Sequence, residues 1–440
     1  MTGKPNSQRT MTTSETALSG GATSKATVTR KNRLMGVASS VGIVLLLLLL
    51  SPCIALLRAL ARLVPKKKDL ILLIPRFGGV LNGNLKYFYL YLAAHHAQDC
   101  EFYLLTHRRA TARLLSEHGL PVLLHPTPRS VVKLLRARSV VVEGTEWWDW
   151  LKSLLALYAT SFQIWHGNGM KRISMTNKKT AAQLRGPRPF RWLLHWCNVF
   201  PTYNVVFFAS RLQRERRSAS FRMKEAVING QPRNDIFFGT DVGFNLIGCD
   251  GAITEKIRSA AAAGKRVVLY SPTFRPPDEI QPAHALDLDE LNNFALRHGL
   301  LIVWKAHPKD GIAVREREAL VVMDKHADVY PVMGYADCMI TDYSSIYMDY
   351  ILLDRPIIFF PYDLEHYLRR RGIQYDYNAI TPGPKCLTQA EVQQALREIV
   401  IEGGDSWRNS RETVRRDFYE YQDGRSCERL FAEIRKRGGF

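Results

Sequence analysis

CMITDYSSIYMDYILL, residues 338–353, is a strand, a polar turn and a helix in direct succession. Cys338-Met339-Ile340 has the short apolar character of a buried strand, and Ile346 to Leu353 has helical spacing. Between them lies Thr341-Asp342-Tyr343-Ser344-Ser345. Such a junction can hold an anion, because the first N–H groups of a helix lack intrahelical partners. Asp and Ser are also ordinary helix caps, so these five residues alone do not separate the two roles. A strand feeding a helix in this way is the repeating unit of a parallel sheet wrapped by helices.

Outward from that stretch the unit recurs. Strand candidates are Leu70–Ile74, Glu101–Leu105, Val140–Val142, Phe162–Trp165 and Val205–Phe208, then Val267–Tyr270, Leu301–Trp304, Cys338–Ile340 and Pro356–Phe360. Amphipathic segments such as Lys86–Ala94 and Asp289–His298 lie between them. Two such sets predict two doubly wound α/β domains, with ligand in the crevice beyond the strands' carboxyl ends. Gly230-Gln231-Pro232-Arg233 breaks the chain between the sets. The expected domains are therefore 65–228 and 229–405, followed by a charged helical stretch, 406–440, that packs back across the first.

The N-terminal part differs. Residues 1–32 are rich in Ser, Thr, Gly and Lys and read as a disordered basic tail. Residues 33–64 read as a membrane anchor, since Leu34–Leu57 is long, mostly apolar and uncharged. Basic residues flank it on both sides, with Lys66, Lys67 and Lys68 at its exit, which favours a cytoplasmic location for the two domains. Pro52 would also allow a re-entrant hairpin. A signal peptide would have a shorter leading region and no basic exit.

The chain has 440 residues and a formal net charge of +20, which calls for an anionic partner: lipid, nucleic acid or a phosphate-rich substrate. No nucleic-acid reader motif is present, so nucleic acid is set aside. Seven scattered Cys without a CxxC pair or a zinc-like Cys/His cluster suit a reducing compartment and predict no structural metal.

Four polar clusters come directly after strand candidates. Trp165-His166-Gly167-Asn168-Gly169-Met170-Lys171 sets a histidine, two turn glycines and a cation at a strand end. Ser271-Pro272-Thr273-Phe274-Arg275 offers a guanidinium that could fork onto a phosphate. Lys305-Ala306-His307-Pro308 offers a second histidine, and the fourth cluster is Thr341–Ser345. The first reads as an anion-facing turn and the other three, taken singly, as ordinary loops or a cap; together they describe a site for a diphosphate. No Walker loop and no dinucleotide-type glycine fingerprint is present.

The spacing of WHGNGMK, SPTFR, KAHP and ADCMITDYSSIYMDYILLDRPIIFFPYDLEHY resembles the CDP-glycerol glycerophosphotransferase family, the teichoic-acid primases and polymerases. NGQPRND (229–235), RGIQYDY (371–377) and PGP (382–384) match as well, and the resemblance runs from about Leu70 to the C-terminus. It implies the GT-B architecture: two Rossmann-like domains with the active site in the cleft. It implies transfer of glycerol phosphate from CDP-glycerol to a hydroxyl of a polyprenyl-linked or polymer acceptor, with release of CMP. His166 would take the acceptor proton, with Gly167, Gly169 and Lys171 forming the turn beside it. His307 would act with Arg275, Ser344, Ser345, Asp342 and Lys305 on the donor diphosphate. No tightly bound cofactor or metal is expected, and the reading leaves room for loosely held Mg²⁺. The expected location is the cell membrane, with anionic lipid as a partner and the catalytic domains cytoplasmic. A nucleotide-sugar glycosyltransferase and a CDP-ribitol ribitolphosphotransferase are the alternatives.

Overall fold

Strands buried on both faces read as unbroken apolar runs, and Leu70–Ile74 and Val267–Tyr270 are buried at every position. The computed structural model describes residues 48–440 apart from 77, 146–150, 170–172, 177–187, 199–200, 240–245, 309, 312 and 371–372. The first sheet comprises β1 (Lys67–Ile74), β2 (Glu101–Thr106), β3 (Val122–Leu124), β4 (Ala137–Val142), β5 (Thr160–Gln163), β6 (Tyr203–Phe208) and β7 (Met223–Ile228). The second comprises β8 (Arg266–Tyr270), β9 (Leu300–Lys305), β10 (Leu320–Met323), β11 (Cys338–Thr341) and β12 (Ile357–Phe359). Their orders are β3-β2-β1-β4-β5-β6-β7 and β10-β9-β8-β11-β12, and the paired strands run parallel.

Each order reverses direction once, between β1 and β4 in the first sheet and between β8 and β11 in the second. Loops leaving neighbouring strands part at such a reversal and open a crevice. The two reversals lie at Arg76–Glu143 and at Ser271–Ser345, which is where the chemistry must be sought.

Three strands missing from the expected set, β3, β7 and β10, are all edge strands. Two departures concern helices. Lys86–Ala94 falls within the helix Gly83–His95, which is buried almost throughout rather than amphipathic, because it is held between the first sheet and the second domain. The 406–440 stretch forms two helices, Arg408–Phe418 and Ser426–Gly438. The latter contributes Cys427, Leu430, Phe431 and Ile434 to the core around Phe162 and Phe207 of the first sheet.

The expected tail, 1–32, and residues 33–47 of the expected anchor lie outside the described residues. Residues 48–63 are helical. Ile54 packs with Leu154, Leu193 and Cys197, while Leu49, Leu56, Leu60 and Leu63 face outward. Among the described residues no helix is long and apolar enough to cross a membrane.

One buried ion pair joins the domains: Lys86 Nζ lies 2.6 Å from Asp328. A second lies within the second domain, where Arg233 Nη2 is 2.6 Å from Asp349. Asp349 also accepts from Asn234, Tyr330 and Tyr419.

Candidate active site

The three second-domain clusters leave β9, β8 and β11, which are adjacent in the sheet. At the usual strand spacing they span about 10 Å, the scale of a nucleoside diphosphate. The loops are laced together. Thr341 Oγ1 donates to the Ser271 carbonyl at 2.7 Å, and the Thr273 N–H donates to both Asp342 carboxylate oxygens at 2.9 and 3.1 Å. The rings of Phe274 and His307 lie 5.8 Å apart. Ser344 and Ser345 are half-buried, and the Ser345 side chain makes no capping hydrogen bond. The ordinary cap reading therefore fails for Ser345.

Three residues assigned to the diphosphate point elsewhere. The Arg275 side chain is fully buried. It donates through Nε and Nη2 to Asp363 at 2.7 and 2.9 Å, through Nη2 to Asp342 at 2.9 Å, and through Nη1 to the Thr273 carbonyl at 2.6 Å. Its guanidinium sits against the rings of Tyr343, Tyr362 and Tyr367. Burial opposes the charge, and the two carboxylates more than offset it, holding the group above its ordinary basicity. Arg275 and Asp342 thus brace the loops from beneath. Lys305 is buried, its ammonium donates to the Lys325 carbonyl at 2.7 Å, and desolvation lowers its pKa to about 8.

In the first domain Trp165 takes a left-handed backbone conformation, φ 48°, which turns the chain sharply after β5. His166 is half-buried beside it, ring to ring at 4.0 Å. Its Nδ1 lies 3.3 Å from the Glu143 carbonyl. A carbonyl only accepts, so Nδ1 carries the proton and Nε2 keeps its lone pair. Burial first, then the Arg76 charge, pushes the imidazole well below its ordinary pKa, favouring the neutral form. Gly167 has φ 119°, and a Cβ there would lie 2.2 Å from Arg233 Nη2. Arg233 Nη1 in turn donates to the His166 carbonyl at 2.9 Å.

The two domains meet at this turn. A Cβ on Gly169 would lie 3.7 Å from the Cβ of Ser345 and 3.5 Å from Arg217 Nη2. The structure thus brings Gly169, at the end of the turn that carries His166 and Gly167, against Ser345, and sets His307 beside Phe274 along the same second-domain edge. Lys171 lies outside the described residues. Residues not singled out in the sequence also build the site: Asn84 donates to the Trp165 carbonyl at 2.9 Å, and Gln231 donates to Asn168 at 3.2 Å. Glu143 is fully buried, with Oε1 accepting from the Asn84 N–H and Oε2 without a hydrogen-bond partner among the described residues, and desolvation raises its pKa to about 7. Asn229–Asp235 carried the signal for Gln231 and Arg233; nothing local marks Glu143. Among the described residues no three His, Cys, Asp or Glu side chains converge as metal ligands.

The family model for CDP-glycerol:poly(glycerophosphate) glycerophosphotransferases matches residues 56–436. The chain belongs to this family. It is 23% identical over 367 residues to a teichoic acid glycerol-phosphate primase of Bacillus spizizenii, covering 79% of this chain and 88% of the primase. It is 25% identical over 389 residues to a teichoic acid glycerol-phosphate transferase of Staphylococcus aureus, covering 84% and 93%. It spans only 52% of the length of a ribitol-phosphate polymerase of the latter organism, TarK, at 25% identity over 62% of this chain. The wall teichoic acid polymerase TagF shares the fold, with a TM-score of 0.66 at 20% identity over 93% of this chain and 98% of that structure. The chain is accordingly a transferase of the glycerophosphotransferase family.

Proposed function

We propose that this protein transfers glycerol phosphate from CDP-glycerol to a hydroxyl of a membrane- or lipid-linked acceptor in the synthesis of a teichoic-acid-like or capsular surface polymer. The observation that carries the reading is the approach of the turn after β5, which carries His166 with Nε2 unprotonated, to Ser345, Gly169 of that turn lying against the serine. One wall then supplies a base and the other supplies hydroxyls for a phosphate. A relative of the same fold, TagF, has been soaked with CDP-glycerol, which supports that donor. The cleft between two parallel sheets fits the GT-B arrangement.

His166 Nε2 takes the acceptor hydroxyl's proton while its oxygen attacks the phosphorus bearing glycerol. The bond to the CMP oxygen breaks, and CMP leaves with the electron pair. Ser344, Ser345 and His307 hold the CMP side and offset its growing charge. Positioning and charge stabilisation of this kind supply most of the catalysis in phosphoryl transfer. No tightly bound cofactor is needed in this scheme, and loosely held Mg²⁺ would assist at the same oxygens. Arg275 and Asp342 act by fixing the loops.

In our reading the outward leucines of 48–63, with exposed Arg62 and Lys68 beside them, seat this face on an anionic membrane with the domains cytoplasmic, while Lys66 and Lys67 are held by the Leu135 carbonyl and Glu101. The test is CMP release from CDP-glycerol, CDP-ribitol and a panel of nucleotide sugars, with membranes as acceptor. Release from CDP-glycerol alone supports the reading. Preference for CDP-ribitol, or sugar transfer without CMP release from CDP-glycerol, refutes it.

A further inference from the structure

Four arginines are buried in the described structure: Arg217, Arg233, Arg275 and Arg411. Three hold carboxylates: Arg233 with Asp349, Arg275 with Asp342 and Asp363, and Arg411 with Asp405. Arg217 is 2% exposed and pairs with no carboxylate among the described residues. Its Nη1 donates to the Gly167 carbonyl at 3.0 Å. Its Nε and Nη2 make no well-formed hydrogen bond among the described residues, although the neutral Tyr375 hydroxyl approaches the guanidinium. Burial lowers its basicity, with the neighbouring Tyr375 hydroxyl acting the other way. A cavity of about 10 Å³ beside Trp165, Gln213 and Arg217 has room for one water at most, which would leave the charge itself uncompensated.

An unpaired charge is costly to bury, so a protein that keeps one has an anion to meet there. The direction of Nη2 identifies the place. It lies 3.5 Å from where a Cβ of Gly169 would stand, and that point is 3.7 Å from the Cβ of Ser345. Glycine at 169 leaves a guanidinium that meets no carboxylate on one side and the serine turn on the other. The bond to the Gly167 carbonyl ties Arg217 to the turn that carries His166, and so to the acceptor side of the cleft.

We propose that Arg217 is a catalytic residue that binds the non-bridging oxygens of the phosphoryl group in transfer. This rests on the donor reading above and adds the cation that Arg275 does not supply. Arg217 forms no covalent bond. As the acceptor oxygen closes on phosphorus and the bond to CMP opens, the guanidinium neutralises charge on the equatorial oxygens.

The experiment compares the full chain with Arg217→Met and Arg217→Lys. Removing an unpaired buried charge should leave the melting temperature equal or higher. Turnover of Arg217→Met should fall about 10²–10³-fold, the usual effect of losing one such donor. CMP affinity, measured by calorimetry, should stay near the wild-type value, because CMP lacks the transferred phosphate. Arg217→Lys should recover only part of the rate. Turnover within about threefold of wild type in Arg217→Met overturns the proposal, taking the loss of one donor as the measure. So does an equal loss of CMP and CDP-glycerol affinity. If the wild type releases no CMP from CDP-glycerol or CDP-ribitol, the donor reading has failed. Arg217 is then judged with pyrophosphate, which should raise the melting temperature of wild type and not of Arg217→Met; equal shifts overturn the proposal.

Discussion

His166 and Arg275 both stand at strand ends, yet the Arg275 side chain is fully buried and His166 is not. The sequence locates a loop well and a side chain's direction poorly. Arg275 meets Asp342 and Asp363 across 67 and 88 positions, separations that no local pattern reports. Arg217 lies in Arg211–Arg217, a run that reads as a solvated face, although Gln213 and Arg217, four apart, form its buried side. That spacing was the one available signal. For Arg275→Ala the expected outcome is loss of stability by about 3–5 kcal/mol in urea unfolding, because two carboxylates lose a fully buried partner. For His166→Ala the fold should persist while turnover drops about 10²–10⁴-fold. The wild-type pH profile gives an independent check. A base must be neutral to work, and burial together with the Arg76 charge depresses this imidazole's pKa. The acid limb of kcat/KM should therefore fall well below the ordinary histidine value of about 6.5. A limb at or above that value would remove His166 from the role.

Among the elements, the central strands were legible because burial on both faces leaves continuous apolar runs, as in Leu70–Ile74. The edge strands β3, β7 and β10 were not. Met223–Ile228 carries Lys224 and Glu225 at exposed positions, and Val122–Leu124 is too short to show a pattern. The helix Gly83–His95 departs from the amphipathic reading of Lys86–Ala94 for another reason: Lys86 is buried, and its partner Asp328 comes from the other domain. The short helix Ile346–Tyr350 owes its position to Asp349, which Arg233, Asn234, Tyr330 and Tyr419 all reach. Asp349→Ala should cost about 3–5 kcal/mol, since Arg233 is left buried and unpaired. Adding Arg233→Met should restore part of that loss. Strict additivity in chemical denaturation would show that the two residues are not coupled.

For the molecule as a whole, the recurrence of strand and helix made two α/β domains legible, and the reversal points in the two sheets account for where the clusters gather. Membrane attachment bears on the first domain. If the outward leucines of 48–63 seat the protein on a bilayer, a chain lacking residues 1–47 should still sediment with anionic vesicles. Replacing Leu49, Leu56, Leu60 and Leu63 by Gln in that chain should release it, with catalysis on a soluble acceptor retained. Sedimentation that survives the replacements would move the contact elsewhere. The helix Ser426–Gly438 has a consequence for biosynthesis. Asp235 receives the N–H of Cys427 from 192 positions along the chain, and Phe431 completes a core begun by β1. A ribosome must therefore translate the entire second domain before the first can close. Until then Phe162 and Phe207 lack their cover, so nascent chains halted short of Cys427 should be bound by chaperones or degraded even though every strand of both sheets has been made.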